Sequence, residues 1–323
     1  MLNNKIIITG GSGFIGINLI EELLEKNFEV LNIDVKPPTK LSHIKHYQHS
    51  DINNYELFYQ KVLDFKPQFV IHLAARTDLN GTNIASYKTN ILGTQNLIAC
   101  LNNIPSIKKV IYTSTMLVCK AGHQPDSETD YCPDTVYGES KVLMEQLIRE
   151  AKHNYADWVI IRPTSIWGPW FSKPYRDFFD MVKKNIFLDI GIKSATKTYG
   201  YVENSTFQII EILLSNKTSG STYYIGDYEP IFISDWADEI TKLINGKKLP
   251  KLPFYFFKYT AKIGDIITYF GINFPLTSFR LKNMTTNNII NLDNTRKIAG
   301  ELPFTRLEGT KKTLNWLNLN FKL

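Results

Sequence analysis

The chain is poor in cysteine. Its 323 residues include three, Cys100, Cys119 and Cys132. They form no CxxC pair and no Cys/His ligand spacing, which argues against a zinc module or a disulfide scaffold, so no metal is expected. So sparse a set fits a reducing compartment, and the expected location is cytoplasmic. No apolar run is long and clean enough for a membrane span. The most aromatic stretch, Leu252 to Leu276, is interrupted by Lys258, Lys262 and Asp265. It reads as a core or substrate-domain helix, with an interfacial membrane helix as the alternative. Like charges form no block. Basic residues occur in pairs such as Lys183-Lys184, Lys247-Lys248 and Lys311-Lys312, and the net charge is +6. That spread reads as a solvated surface, gives no support for nucleic-acid binding, and would suit an anionic small molecule. The first residues run directly into an apolar strand pattern, so no signal peptide is expected. No repeat or low-complexity linker divides the chain.

What the sequence does have is a core. Hydrophobic residues make up 43% of it, which excludes global disorder, and the length suits one large or two intimate domains. Strand and helix patterns alternate through the first half. Strands are expected at 6–9, 30–33, 46–49, 69–73, 109–114 and 158–162, and helices at 17–26, 55–65, 83–102 and 135–153. This alternation predicts an α/β fold, a doubly wound parallel sheet of Rossmann type. Later helices are expected at 174–184, 201–214, 233–244 (started by Ser234) and 307–317, with a strand at 222–225. A smaller C-terminal part should interleave with the first. The expected division is a dinucleotide-binding domain over 1–165, joined again by 200–228, and a substrate domain over 166–199 and 229–323.

The stretch from Ile6 to Gly16 organises this fold. A strand ends in Gly10-x-x-Gly13-x-x-Gly16 and a helix follows. Gly10 can adopt the dihedrals of the turn, Gly13 lets a pyrophosphate approach the backbone, and Gly16 allows close packing between helix and strand. The helix N-terminus favours an anion. Asp34 closes the second strand at the distance expected for an acidic residue that holds a ribose. Together these predict a dinucleotide site. Asp51, Ala74-Ala75, Thr113-Ser114-Thr115 and Pro163-Thr164-Ser165 also follow strands and should converge on the same crevice.

Tyr137-Gly138-Glu139-Ser140-Lys141 lies in the 135–153 helix. Residues four apart share a face, so Tyr137 and Lys141 can act together. A nearby ammonium favours the phenolate and brings its proton chemistry toward neutrality. It is the only Tyr-x-x-x-Lys in the chain. The helix carries two apolar stripes, Val136/Leu143/Leu147 and Met144/Ile148/Ala151. One would pack on the sheet, the other on a neighbouring helix of the same or a second subunit; a homodimer is expected.

In order along the chain, Thr9–Gly16, Asp34, Asp51-Ile52, His72-Leu73-Ala74-Ala75, Asn90-x-x-Gly93-Thr94, Thr113-Ser114-Thr115, Tyr137-x-x-x-Lys141, Arg162-Pro163, Gly168-Pro169, Tyr201 to Asn204, Tyr224-Ile225-Gly226 and Leu302-Pro303-Phe304 to Trp316 resemble the extended short-chain dehydrogenase/reductases. The similarity is to their NAD-dependent epimerase/dehydratase group, which acts on nucleotide-linked sugars. The resemblance implies NAD as cofactor and a nucleotide-linked sugar as partner. It makes Tyr137 the catalytic acid/base, tuned by Lys141, with Thr115 as its hydroxyl partner. It places Gly10, Gly13, Phe14, Ile15, Gly16, Asp34, Asp51, Ile52, Leu73, Ala74, Ala75, Asn90, Thr113, Tyr137, Lys141 and Pro163 on the cofactor. It places Thr77, Ser165, Lys197 and Arg280 on the substrate. Sugar 4,6-dehydratases of the group typically carry Thr-Asp-Glu after the fifth strand. Here Thr115 is followed by Met116-Leu117, which cannot transfer protons, so dehydration is not expected. Cys119, Ser165, Lys197 and Glu203-Asn204 also depart from the group's usual residues and leave the sugar open. The expected activity is a nucleotide-sugar epimerase in which Tyr137 takes a hydroxyl proton while hydride passes to NAD. The alternatives are a 4-keto reductase or dehydrogenase, an enzyme of hydrophobic alcohols suggested by Phe254–Phe257, and a non-catalytic NAD-binding regulator.

Overall fold

The computed structural model describes residues 4–155, 157–173, 175–190, 194–272, 274 and 276–321. Pro174, with which one helix was expected to begin, lies outside them. The first half runs β1 (Lys5–Thr9), α1 (Phe14–Glu25), β2 (Glu29–Asp34), β3 (Tyr47–His49), α2 (Tyr55–Phe65), β4 (Phe69–His72), α3 (Lys88–Leu101), β5 (Lys109–Thr113), α4 (Val136–Glu150) and β6 (Asp157–Pro163). The second half runs β7 (Ser165–Trp167), α5 (Tyr175–Lys183), β8 (Thr196–Lys197), β9 (Tyr199–Tyr201), α6 (Val202–Leu214), β10 (Thr222–Ile225), β11 (Ile231–Phe232) and α7 (Ile233–Leu243). Helices α8 (Phe254–Tyr269), α9 (Ser278–Thr285), α10 (Asp293–Ala299) and α11 (Arg306–Asn320) complete it.

Seven parallel strands form the central sheet in the order β10-β6-β5-β4-β1-β2-β3. Strand β1 shows why it is buried on both faces. Ile7 belongs to the cluster with Leu97, Val110 and Met144, whereas Ile6 and Ile8 belong to the cluster with Leu19, Ile209 and Leu213. Helices thus cover both sides, which is why the strands read as continuous apolar runs rather than alternating ones. The order reverses between β1 and β4. Right-handed crossovers open a crevice there, at the C-terminal ends of the strands.

The second half builds its own aromatic core, with Trp167, Phe179, Tyr201 and Trp236 all nearly inaccessible. Its short strands, β7 with β9 and β8 with β11, form two-stranded ladders too short to show a period in the sequence. Ser234 does not start α7. The helix is entered from Phe232 without a side-chain cap, and the Ser234 hydroxyl instead donates to the Asp189 carboxylate. On α4, Met144 and Ile148 pack into the sheet-side core, while Leu143 is 40% exposed. Helix α8 is not a core helix. It buries only Phe257, Ala261 and Gly264 and leaves its other face in solvent. No helix among the described residues is long and apolar enough to cross a membrane.

Candidate active site

The glycine turn closes β1 into α1. Gly10 has φ +73° and donates its N–H to the Ile33 carbonyl at 2.9 Å. A side chain there would be strained and would lie 2.6 Å from the Ala74 nitrogen. Gly16 packs against the turn itself rather than the strand, since a Cβ on it would stand 2.5 Å from Gly11 Cα. At Gly13 an added Cβ would approach the Gly10 carbonyl, at 3.2 Å, and no other atom of the described residues within 4 Å. Gly13 is also the N-cap of α1, and no side chain caps it. The amides of the first turn therefore present a dipole and donors to an anion. Phe14 and Ile15 hold this turn against the aromatic core of the second half, with Phe14 6.2 Å from Phe171.

At the tip of β2, the Asp34 carboxylate accepts the Ser12 N–H at 3.1 Å and the Lys36 N–H at 3.0 Å. It stands beside the glycine turn, where a ribose would present its hydroxyls. Asp51 is exposed and accepts the Asn53 backbone N–H at 2.9 Å. Ile52 turns its side chain into the core, where it fills the space left by Gly93. Leu73, Ala74 and Ala75 follow β4 at half-buried positions, Leu73 donating to the Thr9 carbonyl at 2.9 Å. Asn90 is fully buried and committed within the protein. Its Oδ1 accepts Arg76 N–H at 2.8 Å, and its Nδ2 donates to Arg76 O at 3.1 Å and to Ser140 Oγ at 2.9 Å. It joins the loop after β4 to helix α4. Pro163 ends β6 opposite Ile225 of β10.

Helix α4 begins at the Thr135 cap, whose Oγ1 accepts Gly138 N–H at 3.0 Å. Tyr137 and Lys141 sit one turn apart, 7% and 2% exposed. Lys141 Nζ donates to the Thr113 carbonyl at 2.8 Å and contacts Met144 Sδ at 3.5 Å. Burial pulls its ammonium down to about 7, against a smaller opposing pull from Glu145. His72, hydrogen-bonded to Thr9 at 2.7 Å and Thr94 at 3.2 Å, is driven down to about 3, by burial first and then by Lys141. It is a neutral strut at the end of β4. Thr115 Oγ1 accepts the Leu117 N–H at 3.2 Å at the start of the 3-10 turn Met116–Val118. That uses an acceptor lone pair and leaves the hydroxyl proton for another oxygen. Gly138 packs directly on the Leu117 carbonyl, which brings the Tyr137 turn down onto the Thr115 segment. Sequence reading gave Gly138 no role.

Of the residues expected on the substrate, Thr77 lies exposed between Arg76 and Asp78, which pair with each other at 2.7 and 3.0 Å. Arg76 also stands over the Tyr87 ring at 5.3 Å, and Tyr87 lies 5.9 Å from the Tyr137 ring. Ser165 opens β7 opposite Tyr199. Lys197 is half-buried, and burial lowers its ammonium. Asn288 bridges to Lys197 through the backbone, accepts Gly122 N–H at 3.2 Å on its Oδ1, and directs its Nδ2 to Met116 Sδ at 3.7 Å. It ties the Lys197 strand to the Thr115 turn, and nothing in the local sequence marks it. Arg280 is exposed in the first turn of α9. Glu203 and Asn204 are structural. Glu203 accepts from the Tyr201 hydroxyl and pairs with Lys312 at 2.6 Å, and Asn204 bonds Asp227 and both backbone groups of Phe304.

Behind the site, Arg162 and Glu145 form a buried bidentate pair at 2.9 and 2.7 Å that clamps α4 to β6. Sequence reading named Arg162 and missed Glu145, one turn beyond Lys141.

A dinucleotide fits these residues. The uncapped turn suits a diphosphate and Asp34 a ribose, and the buried Thr113 Oγ1 has no hydrogen-bond partner among the described residues. The fold is an α/β protein of Rossmann type with a buried tyrosine–lysine pair beside the end of β5. The chain belongs to the NAD dependent epimerase/dehydratase family, whose model matches residues 6–203. It is an enzyme of that family, and NAD is its cofactor. An N-acetyl-alpha-D-glucosaminyl-diphospho-ditrans,octacis-undecaprenol 4-epimerase of Escherichia coli O157:H7 is 25% identical, over 98% of this chain and 96% of that protein. A 3-beta-hydroxysteroid dehydrogenase of Mycolicibacterium neoaurum is 27% identical, over 94% and 88%. Among solved structures, a UDP-glucose 4-epimerase of Thermotoga maritima with UDP-glucose superposes with a TM-score of 0.76 at 19% identity, covering 98% of this chain and 100% of that one.

Proposed function

We propose that the protein is an NAD-dependent nucleotide-sugar epimerase that inverts one carbinol centre through a transient keto-sugar. The observation that carries this reading is a buried Tyr137–Lys141 pair beside Thr115, followed by the apolar Met116 and Leu117. These are groups for reversible oxidation of an alcohol, without the carboxylates that water loss requires. Bound NAD supplies reversible hydride acceptance. The Tyr137 phenolate, favoured by the Lys141 ammonium, takes the hydroxyl proton, and the resulting phenol returns it when hydride comes back. Thr115 donates to the substrate oxygen and holds it toward Tyr137. The glycine turn, Asp34 and Thr113 hold the cofactor, with Pro163 and the loop after β4 as its walls. Residues 166–199 and 229–323 form the substrate side, where Lys197 and Arg280, with Ser165 at its border, meet the diphosphate and sugar. The half-exposed Leu143 and its neighbours on α3 and α4 support a homodimer through that face.

A second reading, a one-way dehydrogenase or keto reductase, is favoured by the relatives named as a 3-beta-hydroxysteroid dehydrogenase and, at 24% identity, a 2-alkyl-3-oxoalkanoate reductase of Stenotrophomonas maltophilia. Both readings use the same three side chains. The test incubates the purified protein, with its copurified cofactor, with a panel of nucleotide sugars. An epimerase yields an equilibrium mixture of two isomers without net NADH in solution, whereas a dehydrogenase releases NADH stoichiometrically. Tyr137→Phe should lose activity by about 10²-fold or more while still binding NAD. Full activity in that variant would refute the mechanism.

A further inference from the structure

Helix α8 has two apolar faces, and the protein covers one. Phe257, Ala261 and Gly264 pack toward α9, with Leu281 in the same cluster. On the opposite side Tyr255, Tyr259, Ile263, Ile266 and Phe270 follow one another at spacings of four and three residues, a single stripe along the helix. All five are more than half exposed, Phe270 at 74%. Scattered exposed apolar residues need no explanation, but a continuous aromatic stripe of this length does.

The charge around it indicates what covers it. Residues 245–285 contain seven lysines and arginines and one acidic residue, Asp265. That surplus of six equals the net charge of the whole chain, +6. The basic surplus, which reads as spread when residues are taken in pairs, is therefore confined to this segment. Lys258 and Lys262 line one edge of the stripe on α8, Lys251 precedes it and Lys282 lies on α9, all exposed. Asp265 accepts the Ser278 N–H at 2.9 Å, so the one acidic group is engaged in joining α8 to α9. An apolar stripe with tyrosines, edged by lysines, matches the interface of an anionic bilayer. Aromatic and aliphatic side chains enter the boundary of the acyl chains, and the lysine stems lie along it with their ammonium groups among the headgroups.

We propose that α8 docks the protein on the surface of an anionic lipid bilayer, lying in the interface rather than crossing it. The segment that follows α9 reaches the active site, because Asn288 bonds the Lys197 strand and Met116. The substrate side of the crevice is thus carried on the docked unit.

The test is vesicle flotation of the purified full chain, which needs no turnover and so stands apart from the assignment of the reaction. Wild type should float with vesicles of phosphatidylcholine plus phosphatidylglycerol, weakly with phosphatidylcholine alone, and less as salt is raised. Ile266→Asp/Phe270→Asp should lower partitioning at least about tenfold with unchanged NAD binding, which reports an intact fold. Lys258→Glu/Lys262→Glu should do the same on anionic vesicles by an independent route. Equal flotation of wild type and both variants overturns the proposal, as does a wild type that stays with the unbound fraction. A drop in oligomeric state of the Ile266→Asp/Phe270→Asp variant by sedimentation also overturns it, by assigning the stripe to a second copy.

Discussion

Gly138 lies so close to the Leu117 carbonyl oxygen that a Cβ on it would overlap that atom. Through this contact the first turn of α4, which carries Tyr137, settles onto the 3-10 turn that begins at Thr115. The phenol and the hydroxyl come from segments more than 20 residues apart, and a missing methyl group sets their separation. Gly138→Ala forces one turn to yield. Stability should fall by about 1–3 kcal/mol in denaturant unfolding. Turnover should fall more than tenfold, because acid/base groups depend on sub-ångström placement. NAD affinity should change little, since the glycine turn is remote in sequence and lies on another strand. A Gly138→Ala enzyme with wild-type turnover would show that this contact does not position the phenol.

Lys141 gives a second prediction, with a defined sign. Burial lowers its ammonium from 10.5 to about 7. Between those values the unfolded chain binds a proton that the folded apoprotein does not, so this group makes stability rise with pH across that window. Below about pH 7 the cost of the buried charge is fully present. Lys141→Met removes it, so the variant's stability relative to wild type should be most favourable at and below pH 7. That difference should decline steadily as pH approaches 10.5. Chemical denaturation of both proteins at several pH values measures it, and a difference independent of pH would remove Lys141 as the titrating group.

Much of this arrangement is legible along the chain because it is local or periodic. The runs at Ile6–Ile8 and Val110–Tyr112 read as strands because both their faces are buried. Gly10, Gly13 and Gly16 read as a turn because three glycines between a strand and a helix have few other uses. Tyr137 and Lys141 read as a pair because 3.6-residue geometry puts them together. What is not legible depends on contacts between distant segments. Nothing around Asn90 in the sequence shows that its amide bonds Arg76 and Ser140. Asn288, one of several polar residues between α9 and α10, ties the Lys197 strand to the Thr115 turn. Strands β8 and β11 have two residues each, too few to show any alternation. The exposure of α8 was hidden for a related reason: both its faces are apolar, and composition does not say which one the protein covers.

The Arg162–Glu145 pair supports a third prediction. Both groups are almost inaccessible, and Arg162 also donates to the Glu128 carbonyl at 2.6 Å and the Tyr224 hydroxyl at 3.1 Å. Glu145→Gln leaves a buried guanidinium without its carboxylate and should cost about 3–5 kcal/mol of stability. The double variant Glu145→Met/Arg162→Met removes both charges and should recover a large part of that loss. If the double variant is less stable than the sum of the singles, the charges hold α4 to β6 in a way that apolar packing cannot replace.

Asp34 tests the cofactor end of the crevice. Its carboxylate already accepts the Ser12 and Lys36 amides, which fixes it beside the glycine turn. A ribose 2′-hydroxyl can donate to such a group, whereas a 2′-phosphate would be repelled by it. Asp34→Ala removes both the acceptor and the repulsion. NAD affinity should drop about tenfold, the worth of roughly 1.4 kcal/mol, and NADP affinity should rise, so that the preference between them narrows from both sides. Asp34→Asn keeps the shape without the charge and should relax the repulsion while retaining part of the NAD affinity. Calorimetric titration of the three apoproteins with each cofactor separates the two effects. Unchanged discrimination in Asp34→Ala would place the ribose away from β2.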